Sequence, residues 1–365
     1  MQHHIHSPRV RRIAAATGLG VALTLAVTGC GSGLIADASA GSGDDAMPRI
    51  AFDVPVAANP YWDLQVTYAE AAAEQLGFEL VVGDANSQED TQINQVQSQI
   101  AGGVDGIVIS PVTDSVGTTV LASAEQAGIP VVFMQRSPGL KPDDYDGSQY
   151  VGFVGTDDVQ GGTLTAEALY EAGIRKVVAM TGAQGNSVAE DRIAGLTDFA
   201  AAHSDMTVLQ QEFGNELRED GQQTMENLLS AYPGPGFDGV WAFNDETAIG
   251  AVRALSNAGS LENVAVTGMD GTPDGVQAIL DGEILSGPGG GYVCGSYATV
   301  MLYDALNGND PKSDFVLLPY VDISADNAEK FKTDFLGNPS GLDFRALSAT
   351  YTEGASTDDY VITLE

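Results

Sequence analysis

The sequence predicts an α/β protein of two lobes, each a parallel sheet with helices on both faces and a ligand cleft between them. Three observations lead there. Apolar runs alternate between strand and helix spacing along the body of the protein, the pattern of parallel sheets covered on both sides. About a dozen strands emerge, too many for one ordinary sheet. Once the export segment described below is set aside, 336 of the 365 residues remain, a length that suits roughly two domains.

Arg49 to Val56 is a short apolar strand run, and Trp62 to Leu76 carries Leu64, Ala69, Ala72, Ala73 and Leu76 on one helical face closed by Gly77. Phe78 to Val82 reads as a strand and Thr91 to Ile100 as a polar helix. Gly106 to Ile109 and Val131 to Phe133 are strands around the helix Val116 to Ala127. After a Pro-, Gly- and Asp-rich break from Ser137 to Ser148, the rhythm restarts. Strands at Tyr150 to Val154, Lys176 to Met180, Thr207 to Glu212, Gly239 to Phe243 and Val264 to Gly268 are expected there. Helices at Gly161 to Ala172, Ala189 to Ala202, Gly221 to Ala231 and Glu246 to Ala258 alternate with them, followed by Asp274 to Leu280 and Ser296 to Leu306. Ligands of such sheets bind outside the carboxyl ends of the strands, so two facing lobes would share one cleft.

The first thirty residues form an export address. Arg9, Arg11 and Arg12 precede Ile13 to Val27, a charge-free apolar run too short to span a membrane but right for a signal-peptide core. The run ends in Val27-Thr28-Gly29-Cys30, which resembles the bacterial lipobox, in which a Cys is acylated and becomes the new N-terminus. Residues 1–29 are therefore expected to be removed. Residues 30–48, rich in Gly, Ser, Ala and Asp, read as a flexible tether. The protein is expected to be exported and lipid-anchored through Cys30 to the outer face of the cytoplasmic membrane. Cys294 would then be left as a lone, buried thiol.

Charge and histidine usage exclude several functions. The sequence has 15 Lys plus Arg against 50 Asp plus Glu, a net −35; without residues 1–29 there are 12 basic and 50 acidic residues, a net −38. Nucleic acid needs a basic stripe that so acidic a protein does not supply, and anionic headgroups are an equally poor match. With 44% hydrophobic residues the protein can still bury a core. Three of the four histidines fall before Ser7, leaving only His203 in the body, so a multi-His zinc site is excluded. His203 ends an apparent helix, where a cation complements the dipole. No G-x-G-x-x-G follows the first strand and no Walker A or G-x-S-x-G sequence occurs, so neither a nucleotide cofactor nor a hydrolase elbow is expected. Asp322 to Asp326 lacks the central Gly and terminal Glu of a calcium loop; helix capping by Ser324 or Asp326 accounts for it better. Gly289-Gly290-Gly291 reads as a hinge or tight turn. No metal, cofactor or catalytic residue is expected.

Six segments in order resemble the type I periplasmic sugar-binding proteins, the ribose-binding-like receptors of ABC importers. They are Asn59-Pro60-Tyr61-Trp62, Ile109 to Asp114, Gly128 to Val132, Gly155 to Asp158 with Gly161-Gly162, Phe243 to Glu246, and Gly268 to Gly275. The resemblance runs from about residue 49 to 322 and implies two Rossmann-like lobes joined by three crossovers near Thr156, Pro288 and Pro319. It places residues 49–155 and 289–319 in the N-terminal lobe, residues 156–288 and 320–325 in the C-terminal lobe, and residues 326–365 in an acidic tail.

The same resemblance implies the ligand set. Asn59, Tyr61 and Trp62 would project from the first lobe, with Trp62 covering the apolar face of a sugar, or else packing in the core at its helix start. Arg136 matches the family's ligand arginine, with Gln135 where sugar binders usually carry Asp. Asn244 and Asp270 match ligand positions of the second lobe, and both can also cap the helices that follow. Glu190 stands where a second ligand arginine is common, or is one more surface charge on an acidic protein; Glu216 falls near a position often held by an aromatic. An arginine lost and glutamates gained would favour a neutral sugar, a polyol or a nitrogen-bearing small molecule over a sugar acid. The implied activity is binding by hinge closure and delivery to a membrane permease, without catalysis and as a monomer. A signalling role, feeding a chemoreceptor or sensor, is the alternative.

Overall fold

The computed structural model describes residues 47–356, apart from Asn215, Pro235 and Gly337. The export segment, Cys30 and the tether through residue 46 lie outside the described residues, as do residues 357–365.

A six-stranded parallel sheet forms the first lobe. Its strands are β1 (Arg49–Val54), β2 (Glu79–Asp84), β3 (Gly106–Ile109), β4 (Val131–Met134), β5 (Tyr150–Thr156) and, much later in the sequence, β11 (Phe315–Leu318). Their spatial order is β11-β5-β4-β3-β1-β2. β3 (GIVI) and β4 (VVFM) are buried at every position, as strands covered on both faces must be. Helices α1 (Pro60–Leu76), α2 (Glu89–Ala101) and α3 (Asp114–Ala127) connect them. α1 begins with Pro60 behind an Asn59 cap and stops at Gly77, whose φ of +86° gives the left-handed turn that ends the helix.

A four-stranded parallel sheet forms the second lobe, in the order β7-β6-β8-β9. These are β6 (Lys176–Thr181), β7 (Thr207–Phe213), β8 (Gly239–Ala242) and β9 (Ala265–Thr267), alternating with α4 (Asp158–Glu171), α5 (Ser187–Ala202), α6 (Arg218–Ala231), α7 (Asp245–Asn257) and α8 (Pro273–Leu280). α4 and α5 pack backbone to backbone. A Cβ on Gly162 would lie 1.9 Å from the Arg192 carbonyl oxygen, so only glycine lets α5 approach this closely. His203 caps α5, with Nδ1 2.8 Å from the Phe199 carbonyl and its ring stacked on Phe199.

The backbone passes between the lobes three times: after β5, through β10 (Ser286–Gly289), and after β11 into β12 (Val321–Ser324). β10 and β12 form a separate antiparallel ribbon. The Ser-Gly-Pro-Gly sequence of β10 has no strand propensity, and its pairing is imposed by β12. Gly290, with φ +91°, turns the backbone into a short 3₁₀ segment ahead of α9 (Cys294–Leu306), which returns to the first lobe against α1 and β5. Cys294 is a free, buried thiol.

Beyond β12 the protein is more ordered than a tail. α10 (Ala328–Asp334) packs on α8, and Lys332 reaches Gln277 at 2.8 Å. The backbone then returns to the first lobe. Tyr68 donates to the Phe335 carbonyl at 2.6 Å, and Gln75 bonds Leu342 O and Phe344 N at 2.9 Å each, at the edge of α11 (Phe344–Leu347). The buried Asp304 carboxylate accepts from the Ser348 and Thr350 hydroxyls and from the backbone N–H groups of Ala349 and Thr350. Neither Ser324 nor Asp326 caps α10. The N-cap is Asn327, whose Oδ1 instead accepts from Ser324 N at 2.9 Å and so shapes the turn before the helix.

Candidate functional site

The carboxyl ends of the two sheets face each other across a cleft, lined by Asn59, Tyr61, Trp62, Gln135 and Arg136 from one side and Val188, Arg192, Glu216, Phe243, Asn244 and Asp270 from the other. Local backbone chemistry delivers most of these. Asn59 accepts from Tyr61 N at 2.9 Å through Oδ1 and caps α1, which leaves its amide nitrogen pointing into the cleft. Asn244 does the same for α7, its Oδ1 2.9 Å from Thr247 N. Capping and lining the cleft are therefore two ends of one amide. Asp270 differs: it does not cap α8, because Thr272 does so through Gly275 N at 3.2 Å. Asp270 instead has φ +117°, a backbone region that L residues rarely adopt, held by its N–H on the Pro288 carbonyl at 2.8 Å. The buried Asp245 ties that loop down, accepting from Thr272 N and Oγ1 at 2.8 and 2.9 Å.

Two arginines organise the charge. Arg136 donates through one terminal nitrogen to Glu216 Oε2 at 2.6 Å, and its guanidinium carbon lies 5.2 Å from the Trp62 ring centre. Arg192 is 2% exposed and uses all three nitrogens. Nε donates to Asp158 at 2.8 Å, one terminal nitrogen to the Phe243 carbonyl at 2.8 Å and to Asp270 at 3.4 Å, and the other to Tyr320 Oη at 3.0 Å. Burial pushes the Asp158 and Asp270 carboxyls upward while Arg192 pulls both down. Tyr320 donates to Asp158 at 2.6 Å, and Gln135 reaches Thr156 Oγ1 at 2.8 Å while accepting from Tyr61 Oη at 2.7 Å. Gln135 (φ +58°) thereby links the first lobe to residues at the crossings.

Seven of the eight expected binding residues line this one cleft. Glu190 does not: it is exposed on α5. Val188, Arg192, Gly195 and Leu196 share the inward face of that helix, and Glu190 falls on the opposite side. No arginine has been lost, since Arg192 two residues further on occupies the cleft. The spacing was readable, for an arginine at i+4 from Val188 sits in an otherwise apolar face. Asp158, Asp245 and Tyr320, which hold the lining in place, carried no such signal.

A narrow polar cleft between two parallel α/β lobes, edged by aromatic rings, defines a two-lobed small-molecule binding protein. Residues 50–310 match the family model described as a periplasmic binding protein domain, and the chain belongs to that family. It is 32% identical over 325 residues to the xylitol-binding protein of Mycolicibacterium smegmatis, covering 88% of this chain and 87% of the relative. It is 34% identical to the ribose import binding protein RbsB of Escherichia coli, over 66% of this chain and 78% of that one. An ABC transporter solute-binding protein from Bacillus halodurans, solved with bound myo-inositol, superposes with a TM-score of 0.71 at 27% identity, over 80% of this chain and 99% of that one. The family is one of sugar- and polyol-binding receptors of ABC transporters, substrate binders rather than enzymes.

Proposed function

We propose that this protein is the exported, monomeric receptor of an ABC importer, anchored through acylated Cys30, that closes on one neutral sugar or polyol and hands it to a membrane permease. One observation carries the ligand class: both cleft arginines already face carboxylate. Arg136 meets Glu216, and Arg192 meets Asp158 and Asp270. Each guanidinium charge is thus already balanced by carboxylate, while Asn59, Asn244 and Gln135 supply amides suited to hydroxyls. We therefore propose the neutral ligand expected from the sequence on a different basis, charge pairing instead of a missing arginine. Trp62 and Tyr61 supply the apolar face for the C–H groups of a ring or an open polyol.

A thermal-shift panel of neutral polyols and sugars against aldonates and sugar phosphates tests this. Ligand at about a hundred times its dissociation constant adds about 2.7 kcal/mol, a shift of roughly 4 °C for a protein of this size. Stabilisation by an acid or phosphate alone would refute the neutral class. Cell fractionation of Cys30→Ala against the wild type tests the anchor; loss of membrane association is expected.

A further inference from the structure

Asp270 is held from two sides, and one of them lies beyond residue 310, where the family match ends. On the first side its N–H donates to the Pro288 carbonyl at 2.8 Å, and its own carbonyl accepts from Gly290 N at 3.3 Å. Its backbone therefore bridges onto the second crossing between the lobes. The second side is an apolar wall. A Cβ built on the next residue, Gly271, would meet Ile323 Cδ1 at 2.9 Å and Phe331 Cζ at 3.0 Å. Ile323 comes from β12 and Phe331 from α10, and both are fully buried. Asp270 and Gly271 have φ values of +117° and +71°. A residue such as Asp270 keeps so rare a conformation only where its surroundings over-determine it. Phe331 supplies part of that constraint without lining the cleft itself.

We propose that Phe331 is a positioning residue for ligand binding: its ring backs the Asp270–Gly271 turn and so sets where the Asp270 carboxylate stands in the cleft. The proposal rests on the sugar-binding reading above, in which Asp270 accepts from a ligand hydroxyl. Such a charge-assisted bond depends steeply on distance and angle, so a small shift of the carboxylate weakens it. The Asp270 side chain has only a 3.4 Å hold on Arg192, and its aim follows its backbone. Removing the Phe331 ring leaves a cavity behind Gly271 into which the turn can relax. The helix that carries Phe331 is secured to both lobes, through Lys332 on Gln277 and through Tyr68 on the Phe335 carbonyl. A segment beyond the family match thereby reaches the ligand through one backbone turn.

Two measurements on the mature full-length protein test this. Hydrogen exchange compares the wild type with Phe331→Ala; residues 268–275 are expected to exchange about tenfold faster in the variant, with β6 and β8 unchanged. Equal exchange at 268–275, or an equal rise throughout the second lobe, would overturn the proposal. Isothermal titration then uses xylitol and myo-inositol as probes. Phe331→Ala is expected to bind the polyol about tenfold more weakly, and Phe331→Leu, which refills much of the space, to recover most of that loss. Leu255→Ala, a core deletion near the far end of α7, is expected to lower the melting temperature and leave affinity unchanged. An affinity loss in Leu255→Ala as large as in Phe331→Ala makes the effect one of general stability and sinks the idea. In an Asp270→Asn background, Phe331→Ala is expected to cost at most about twofold more, because its effect passes through that carboxylate; a full tenfold loss there also overturns it. Phe331→Val carries the same comparisons where the alanine variant does not fold. A wild type that binds neither polyol counts against the sugar reading, whereas the exchange comparison reads the turn without any ligand.

Discussion

Asp53 sits in the middle of β1, fully buried, with Oδ1 accepting from the Gln99 amide at 3.1 Å. Among the described residues, neither Asp53 Oδ2 nor Gln99 Oε1 has a partner. A protonated carboxyl could donate to that oxygen while accepting from Gln99 nitrogen, the two-bond pairing of an acid with an amide. Burial accordingly pushes Asp53 from the ordinary 3.8 up to about 7, with the Gln99 bond a smaller opposing influence. Because the folded protein holds this proton more tightly than the unfolded state, the stability is fully present below the unfolded value and is lost as pH rises through the folded one. At about 1.4 kcal/mol per pH unit, the gap amounts to about 4 kcal/mol. Asp53→Asn keeps the shape, supplies a permanent N–H for Gln99 Oε1 and removes the titration. Urea denaturation of both proteins at about pH 4, 6 and 8 checks it. The variant should exceed the wild type by little at the lowest pH and by on the order of 4 kcal/mol at the highest. A constant offset across the range would refute the reasoning.

Arg192→Met strands Asp158 and Asp270 in a buried site and should cost about 3–5 kcal/mol, whereas the double variant with Asp158→Asn should lose less than the sum, as a denaturation cycle would read. Gly162→Ala drives a methyl group into the Arg192 carbonyl and should cost about 1–3 kcal/mol while weakening polyol binding, measured by melting and titration together. Asp304→Ala removes four bonds to Ser348, Ala349 and Thr350 and should expose the segment beyond Leu347 to limited proteolysis, with ligand affinity little changed.

The fold was legible because strand and helix periodicities differ and alternate here with few exceptions. Strand runs such as Gly106 to Ile109 carry their burial in their composition. The cleft was legible where a side chain sits just past a strand end, as Arg136 and Asn244 do, or at the helix start that follows, as Asn59 does. Sequence reasoning failed where helical phase decides, so that Glu190 points out and Arg192 in. It also failed where pairing is imposed from outside: Ser286-Gly287-Pro288-Gly289 becomes a strand only because Val321 to Ser324 lies beside it. Tyr320 meets Asp158 across 162 positions of sequence, a separation that local pattern does not encode.

The segment beyond β12 changes the mechanics of the hinge. It leaves α10 seated on α8 and arrives at α1 and Asp304 in the other lobe, so it adds a fourth covalent span beside the three crossings. A door on three parallel pins swings freely; a strap fastened to leaf and frame sets how far it travels. Wide opening must break the Tyr68 bond to the Phe335 carbonyl or the Lys332 bond to Gln277. On the proposed reading of a receptor that closes on its ligand, such a strap limits the arc through which the two lobes can part.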